Sequence, residues 1–244
     1  MTTGVLLLHG SSGKPDLDRA AVLRAAGYDV VAPQWFDGPI SEIPLESFPL
    51  DELADRNDRL TVMGMSYGAV AALLLGSFDE RVDAVVAIAP GAHVWGWIGA
   101  GEQTSMFTRQ GEPLPFVPFD PDWEPADDPP SYLGLYCRSL ERYAAQAEAA
   151  QIPVERFKGD LLLLAGGDDQ LWPSVRFAEQ LALRRGNLLT QVLVNGAAGH
   201  RIVFPGEDVK TAGQRMARGG TEVADRAFGG QSWAVVDRVL AGTR

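Results

Sequence analysis

The sequence predicts an α/β fold with a mainly parallel sheet and helices on both faces. Three observations predict it. Short, wholly apolar runs such as Val5-Leu6-Leu7-Leu8 and Leu161-Leu162-Leu163-Leu164 read as strands buried on both sides. Helix-like segments separate these runs, the alternation that produces βαβ crossovers. Gly64-Met65-Ser66-Tyr67-Gly68 lies between an apolar run and a helix-like run, the strand–turn–helix setting of a nucleophile elbow.

The elements follow in order. Residues 4–8 form a strand ending at His9-Gly10, residues 11–18 a Gly/Ser/Pro loop, and residues 17–26 a helix closed by Gly27. A second strand over 28–32 stops at Pro33. Residues 34–50 carry prolines at 39, 44 and 49 and read as loop, with a short helix near 50–56 before the elbow strand. Residues 82–88 form a fourth strand ending at Ala89-Pro90. Regularity then fails from 91 to 130, a stretch holding Trp95, Trp97, Phe107, Phe116, Phe119 and Trp123. So long and aromatic a loop, after the fourth strand, is expected to be a cap or lid rather than a disordered linker. One helix is expected over 132–149, a strand over 160–165, a helix over 175–185 and a last strand over 188–194. The closing helix at 222–241 is expected to kink near Gly229-Gly230.

Bulk properties bound the possibilities. A chain of 244 residues, 46% apolar and 22% charged, builds one soluble domain, and nothing suggests a second. A net charge of −11 argues against nucleic acid or an anionic membrane as partner. A single cysteine, Cys137, excludes an intrachain disulfide and reads as a small buried hydrophobe in a reducing compartment. No leader pattern opens the sequence and no apolar run reaches the ~20 residues of a membrane span, so a cytoplasmic monomer or homodimer is expected. Three scattered histidines and one cysteine do not make a metal site, and no phosphate-binding glycine fingerprint follows a strand; no cofactor is expected.

In a parallel sheet, ligands meet the carboxyl ends of the strands. Three candidates fall there in the order Ser, Asp, His, the order of an α/β-hydrolase. Ser66 is the candidate nucleophile, and a serine hydroxyl needs an imidazole to take its proton. His200, in the loop after the last strand, is the candidate base. His9 is expected to order backbone beside the first loop, and His93 opens the cap segment. The acid comes from Asp168-Asp169, just past the leucine strand. Asp169 is preferred because Gly-x-x-Asp with a proline four residues on is the usual α/β-hydrolase arrangement, Asp168 then capping the turn. Two backbone N–H groups must hold the oxyanion. Tyr67 is expected to supply one and Ser11 the other, with Ser12 as the alternative.

Further blocks in the same order resemble one family: the catalytic domain shared by acyl-CoA thioesterases and bile acid-CoA:amino acid N-acyltransferase. They are His93-Val94-Trp95, the run from Gly111 to Pro118, Ile152-Pro153-Val154-Glu155, the run from Gly167 to Ser174, and Gly219-Gly220-Thr221 with Gln231-Ser232-Trp233. The resemblance implies Ser66, Asp169 and His200 as a triad and acyl transfer from a thioester or ester as the chemistry. Acyltransfer to an amine or alcohol, or a carboxylesterase or dienelactone-hydrolase-like activity with no coenzyme A preference, are the alternatives. Three departures matter: no N-terminal β-sandwich domain accompanies the sheet, the nucleophile is Ser66 where the N-acyltransferase has cysteine, and Ser11-Ser12-Gly13 and Tyr67 replace the family's usual glycine-rich loop and lysine.

Because Ser11 is expected to act through its backbone, Ser11→Ala should leave kcat within about twofold of wild type, whereas loss of an oxyanion donor itself costs about 10²–10³ in kcat. Steady-state ester hydrolysis checks this.

Overall fold

Alternate residues of the leucine-rich runs feed two separate cores. Val5 and Leu7 point to one face of the sheet, and Leu6 and Leu8 to the other. This two-sided burial forces helices onto both faces. In the computed structural model, which describes residues 2–98, 101–209 and 214–243, the central sheet has strands β1 Thr3–Leu8, β2 Asp29–Val31, β3 Arg59–Met65, β4 Ala84–Ile88, β5 Asp160–Gly166 and β6 Thr190–Asn195. Their spatial order is β6-β5-β4-β3-β1-β2, and every neighbouring pair is parallel. The chain leaves β1 for the edge and returns to its other side as β3. The switch in strand order therefore lies between β1 and β3, the crevice where such sheets bind ligands.

Helices α1 (Leu17–Ala25) and α7 (Glu222–Ala241) cover the first face through Ala20, Leu23, Phe228 and Val236. Helices α2 (Leu50–Ala54), α3 (Tyr67–Phe78) and α6 (Ser174–Arg185) cover the second. The almost wholly apolar α3 is buried along most of its length, under the segment expected as a cap. That segment folds into short strand pairs: Gly96–Trp97 with Thr104–Ser105, and Phe107–Arg109 with both Ile43–Pro44 and Glu112–Pro113. Its rings Trp95, Phe107 and Phe119 are buried in the main core. No described helix is long and apolar enough to cross a membrane.

Three local expectations change. The helix expected over 132–149 divides at Tyr143 into α4 (Leu133–Arg142) and α5 (Ala144–Ala149). Helix α7 runs unbroken through Gly229-Gly230. Gly229 serves contact rather than a kink: a Cβ there would stand 1.8 Å from the Val203 carbonyl oxygen. Cys137, on α4, is only half-buried, and burial pushes its thiol pKa up.

His93 is buried between the rings of Trp95 (6.2 Å) and Phe177 (5.7 Å), and its Nδ1 has no hydrogen-bond partner among the described residues. Burial, reinforced by the charges of Arg184 and Arg176, pushes its pKa down to about 4. The unfolded chain therefore takes up a proton near pH 6.5 that the folded chain refuses until about pH 4. Stability rises with pH across that window and is lost as pH falls through it. Urea unfolding should show His93 costing the wild type about 2 kcal/mol between pH 7 and pH 5, a loss that His93→Phe removes from the pH profile.

Candidate active site

The turn from β3 into α3 is made by a serine in a conformation that side chains avoid. Ser66 has φ 59° and ψ −122°, strain of about 1–3 kcal/mol that persists only where the surroundings impose it. They do so here. Ser66 N–H donates to the Ile88 carbonyl at 2.9 Å, and the Ser66 carbonyl accepts from Ala69 and Val70 N–H at 2.9 and 3.2 Å. The flanking glycines let the turn close: a Cβ on Gly64 would lie 2.0 Å from the Gly68 carbonyl oxygen, and one on Gly68 2.4 Å from that of Leu8. The Ser66 side chain is thus held at the N-terminus of α3, where developing negative charge is favoured.

The loop after β5 carries the two aspartates, and hydrogen bonds separate them. Asp169 is buried, and its Oδ2 accepts from His200 Nδ1 at 2.8 Å. Its Oδ1 accepts the N–H groups of Leu171 (2.9 Å) and Trp172 (3.3 Å). Asp168 is exposed and turned away. Its oxygens accept from Gln170 Nε2 and Gly220 N–H, both at 2.8 Å, and these bonds hold its carboxyl below the usual range. Since a carboxylate only accepts, His200 carries its proton on Nδ1 and leaves Nε2 with a lone pair. His200 is 4% exposed and Ser66 9%. Their side chains make no hydrogen bond with each other in this structure, and such bonds often tighten only when substrate binds.

The His200 loop is braced from behind. His200 N–H donates to the Arg218 carbonyl at 2.9 Å, and Gly199 N–H to Asp225 Oδ1 at 2.8 Å. Asp225, in the first turn of α7, is the brace that sequence reading missed. Its only signal was an acidic residue where helix N-termini commonly have one. Burial raises its pKa. Position 219 requires glycine: at φ +66° a Cβ there would fall 1.5 Å from the Asp168 carbonyl oxygen.

The two expected oxyanion donors sit on adjoining turns. Tyr67 opens α3, Ser11 begins the turn after β1, and among the described hydrogen bonds neither N–H is spent on an acceptor. Gly10 lies against Ser66: a Cβ there would stand 3.2 Å from Ser66 Cβ and 3.8 Å from Oγ. His9 Nδ1 meets the Gly10 carbonyl at 2.8 Å, consistent with the backbone-ordering role expected of it. Trp35, from the loop after β2, clamps that turn by donating Nε1–H to the His9 carbonyl at 3.0 Å. A cavity of about 270 Å³ lined by Phe48, Leu75, Phe78 and Arg109 lies at the far end of α3, so it is not a pocket for Ser66 chemistry.

The family model BAAT / acyl-CoA thioester hydrolase C terminal matches residues 52–234. No curated protein matches the chain. Among solved structures, the protein named m3DLH superposes with a TM-score of 0.56 at 18% identity, covering 99% of this chain and 87% of that one. A dienelactone hydrolase-like promiscuous phosphotriesterase from metagenomic libraries superposes with 0.52 at 16%, covering 98% and 86%. A Pyrococcus furiosus esterase gives 0.50 at 16%, covering 80% and 72%. At these identities the structures establish a shared fold.

Two positive-φ glycines separate backbone strain from collision. Gly38→Ala, where nothing lies within 4 Å, should cost only about 1–2 kcal/mol of left-handed strain. Gly219→Ala adds the clash with Asp168 and should cost at least about 2 kcal/mol more, moving the His200 loop with it. Chemical unfolding with parallel esterase assays measures both.

Proposed function

The chain belongs to the BAAT / acyl-CoA thioester hydrolase C-terminal family and is an α/β-hydrolase acting on ester-type bonds; from that premise we propose that it cleaves acyl esters and thioesters through Ser66, His200 and Asp169. The observation that carries the reading is the 2.8 Å contact between His200 Nδ1 and Asp169 Oδ2, on loops that converge on the strained Ser66 turn. His200 Nε2 takes the Ser66 proton as Oγ attacks the acyl carbonyl. The charge that develops on the carbonyl oxygen is held by the N–H groups of Tyr67 and Ser11. The tetrahedral intermediate collapses, expelling the thiolate or alkoxide, which receives the proton from His200. Water then attacks the acyl-Ser66 ester, giving its proton to Nε2, and the second collapse releases the carboxylic acid and returns the proton to Oγ. Asp169 holds the imidazole in one tautomer and stabilises the imidazolium formed in both halves.

An oxoester and a thioester pass through the same acyl-enzyme, so the proposed mechanism serves either substrate. The net charge of −11 gives no general attraction for a polyanionic leaving group. We therefore assign acyl esters and thioesters as the substrate class, with coenzyme A as one leaving group among several.

Ser66→Ala should abolish turnover and fluorophosphonate labelling with an unchanged melting temperature. Asp169→Asn should lower kcat by about 10³–10⁴ and Asp168→Asn by less than about tenfold. Hydrolysis of matched acyl-CoA and p-nitrophenyl esters across chain lengths tests the substrate class. Wild-type turnover in the Ser66→Ala protein would refute the mechanism.

A further inference from the structure

Tyr67 directly follows the nucleophile, and its hydroxyl is hydrogen-bonded to that of Tyr136, 69 residues away on α4. Both side chains are buried. The pair sits in a closed set of rings. Tyr136 stands edge-on to Trp172 at 5.4 Å, and Trp172 stands edge-on to both Tyr67 (5.5 Å) and His200 (5.7 Å). Helix α4 is tied to the acid loop as well, since the N–H groups of Tyr132 and Leu133 donate to the Gln170 carbonyl at 3.0 and 3.1 Å. Burial pushes the Tyr67 pKa up to about 12 and that of Tyr136 well above its ordinary value, so both phenols stay neutral at working pH.

The peptide group between Ser66 and Tyr67 is the part that matters for catalysis. Its carbonyl is fixed by Ala69 and Val70 N–H, but its N–H has no acceptor among the described residues. On the Tyr67 side, the buried side chain is a further anchor besides the start of α3. We propose that Tyr136 is a positioning residue: by holding the Tyr67 hydroxyl, it fixes the direction of the Tyr67 N–H that receives the oxyanion. The proposal rests on the hydrolase reading above. A hydrogen bond weakens steeply as its angle closes, and a donor aimed at a developing charge contributes more in the transition state than to the ground-state carbonyl. Loosening the anchor should therefore lower kcat and spare KM.

Tyr136→Phe removes one oxygen and keeps the ring. Its kcat should fall about 10- to 100-fold, less than loss of the donor, with KM within about twofold. Affinity for a boronic acid, which forms a tetrahedral anionic adduct on Ser66, should fall by the same factor, whereas affinity for an ether analogue lacking the carbonyl should not change. Tyr67→Phe should match it, and the double variant should be no worse than either single one. Wild-type kcat and boronate affinity in folded Tyr136→Phe would overturn the proposal. So would equal losses for boronate and ether analogue, the mark of a merely structural role. Failure of wild type to label with fluorophosphonate would instead remove the hydrolase reading itself, and this proposal with it.

Discussion

The site depends on one backbone constraint, the left-handed conformation of Ser66. Its strain must be met by structure on every side, and each supporting contact comes from a different element. Strand β4 accepts its N–H through Ile88, helix α3 occupies its carbonyl, and the end of β1 presses against Gly68. The contacts to Ile88 and to the end of β1 are lost if β1, β3 and β4 lose their register. The wholly apolar strands and two-sided cores therefore fix the direction of one hydroxyl as well as stabilising the fold.

Sheet order sets the rest of the geometry. Ser66 follows β3 and the aspartate loop follows β5, with β4 between them, so they lie about 10 Å apart at the usual strand spacing. A carboxylate cannot touch the serine across that gap, but an imidazole from the loop after β6 can lie between them. His200 is brought there because its loop is threaded between two others: Asp168 bonds to Gly220, Arg218 bonds to His200, and Asp225 bonds to Gly199. Gly199 and Gly219 are glycines because the three loops approach closer than a Cβ allows. The geometry of the candidate site is a packing problem solved by small residues.

What was legible in the sequence follows from this. A strand buried on both faces has an apolar run, and an elbow needs small residues at fixed offsets, so Ser66, the aspartate pair and His200 could be placed at strand ends from local pattern. The fold class was legible for the same reason. Choosing Asp169 over Asp168 needed a family pattern, because adjacent carboxylates differ only in where their loop points them, and the contact with His200 is a fact about three dimensions. Asp225, Trp35 and Tyr136 act across 26, 26 and 69 residues of sequence, where no local periodicity reports a partner. Gly229 misled for a related reason: a glycine in a helix can mark flexibility or a close neighbour, and only the position of Val203 decides which. The division of α4 from α5 at Tyr143 had no local signal either.

The aromatic segment beyond β4 and the helix that follows it also acquire a physical connection to the chemistry. Its rings fill the core above α3, and α4 closes that core with Tyr136 reaching the residue next to the nucleophile. A lysine at position 67 would place an ammonium group against the Tyr136 hydroxyl and the edge of Trp172, where Asp169 is already engaged by His200. Burying that charge without a carboxylate in contact is unfavourable by several kcal/mol. Tyrosine is compatible with the site because Tyr136 offers a neutral hydroxyl and Trp172 an aromatic edge. Position 67 and α4 are therefore physically coupled: replacing either tyrosine alone leaves a buried hydroxyl unpaired, and the N–H proposed to receive the oxyanion belongs to one member of that pair.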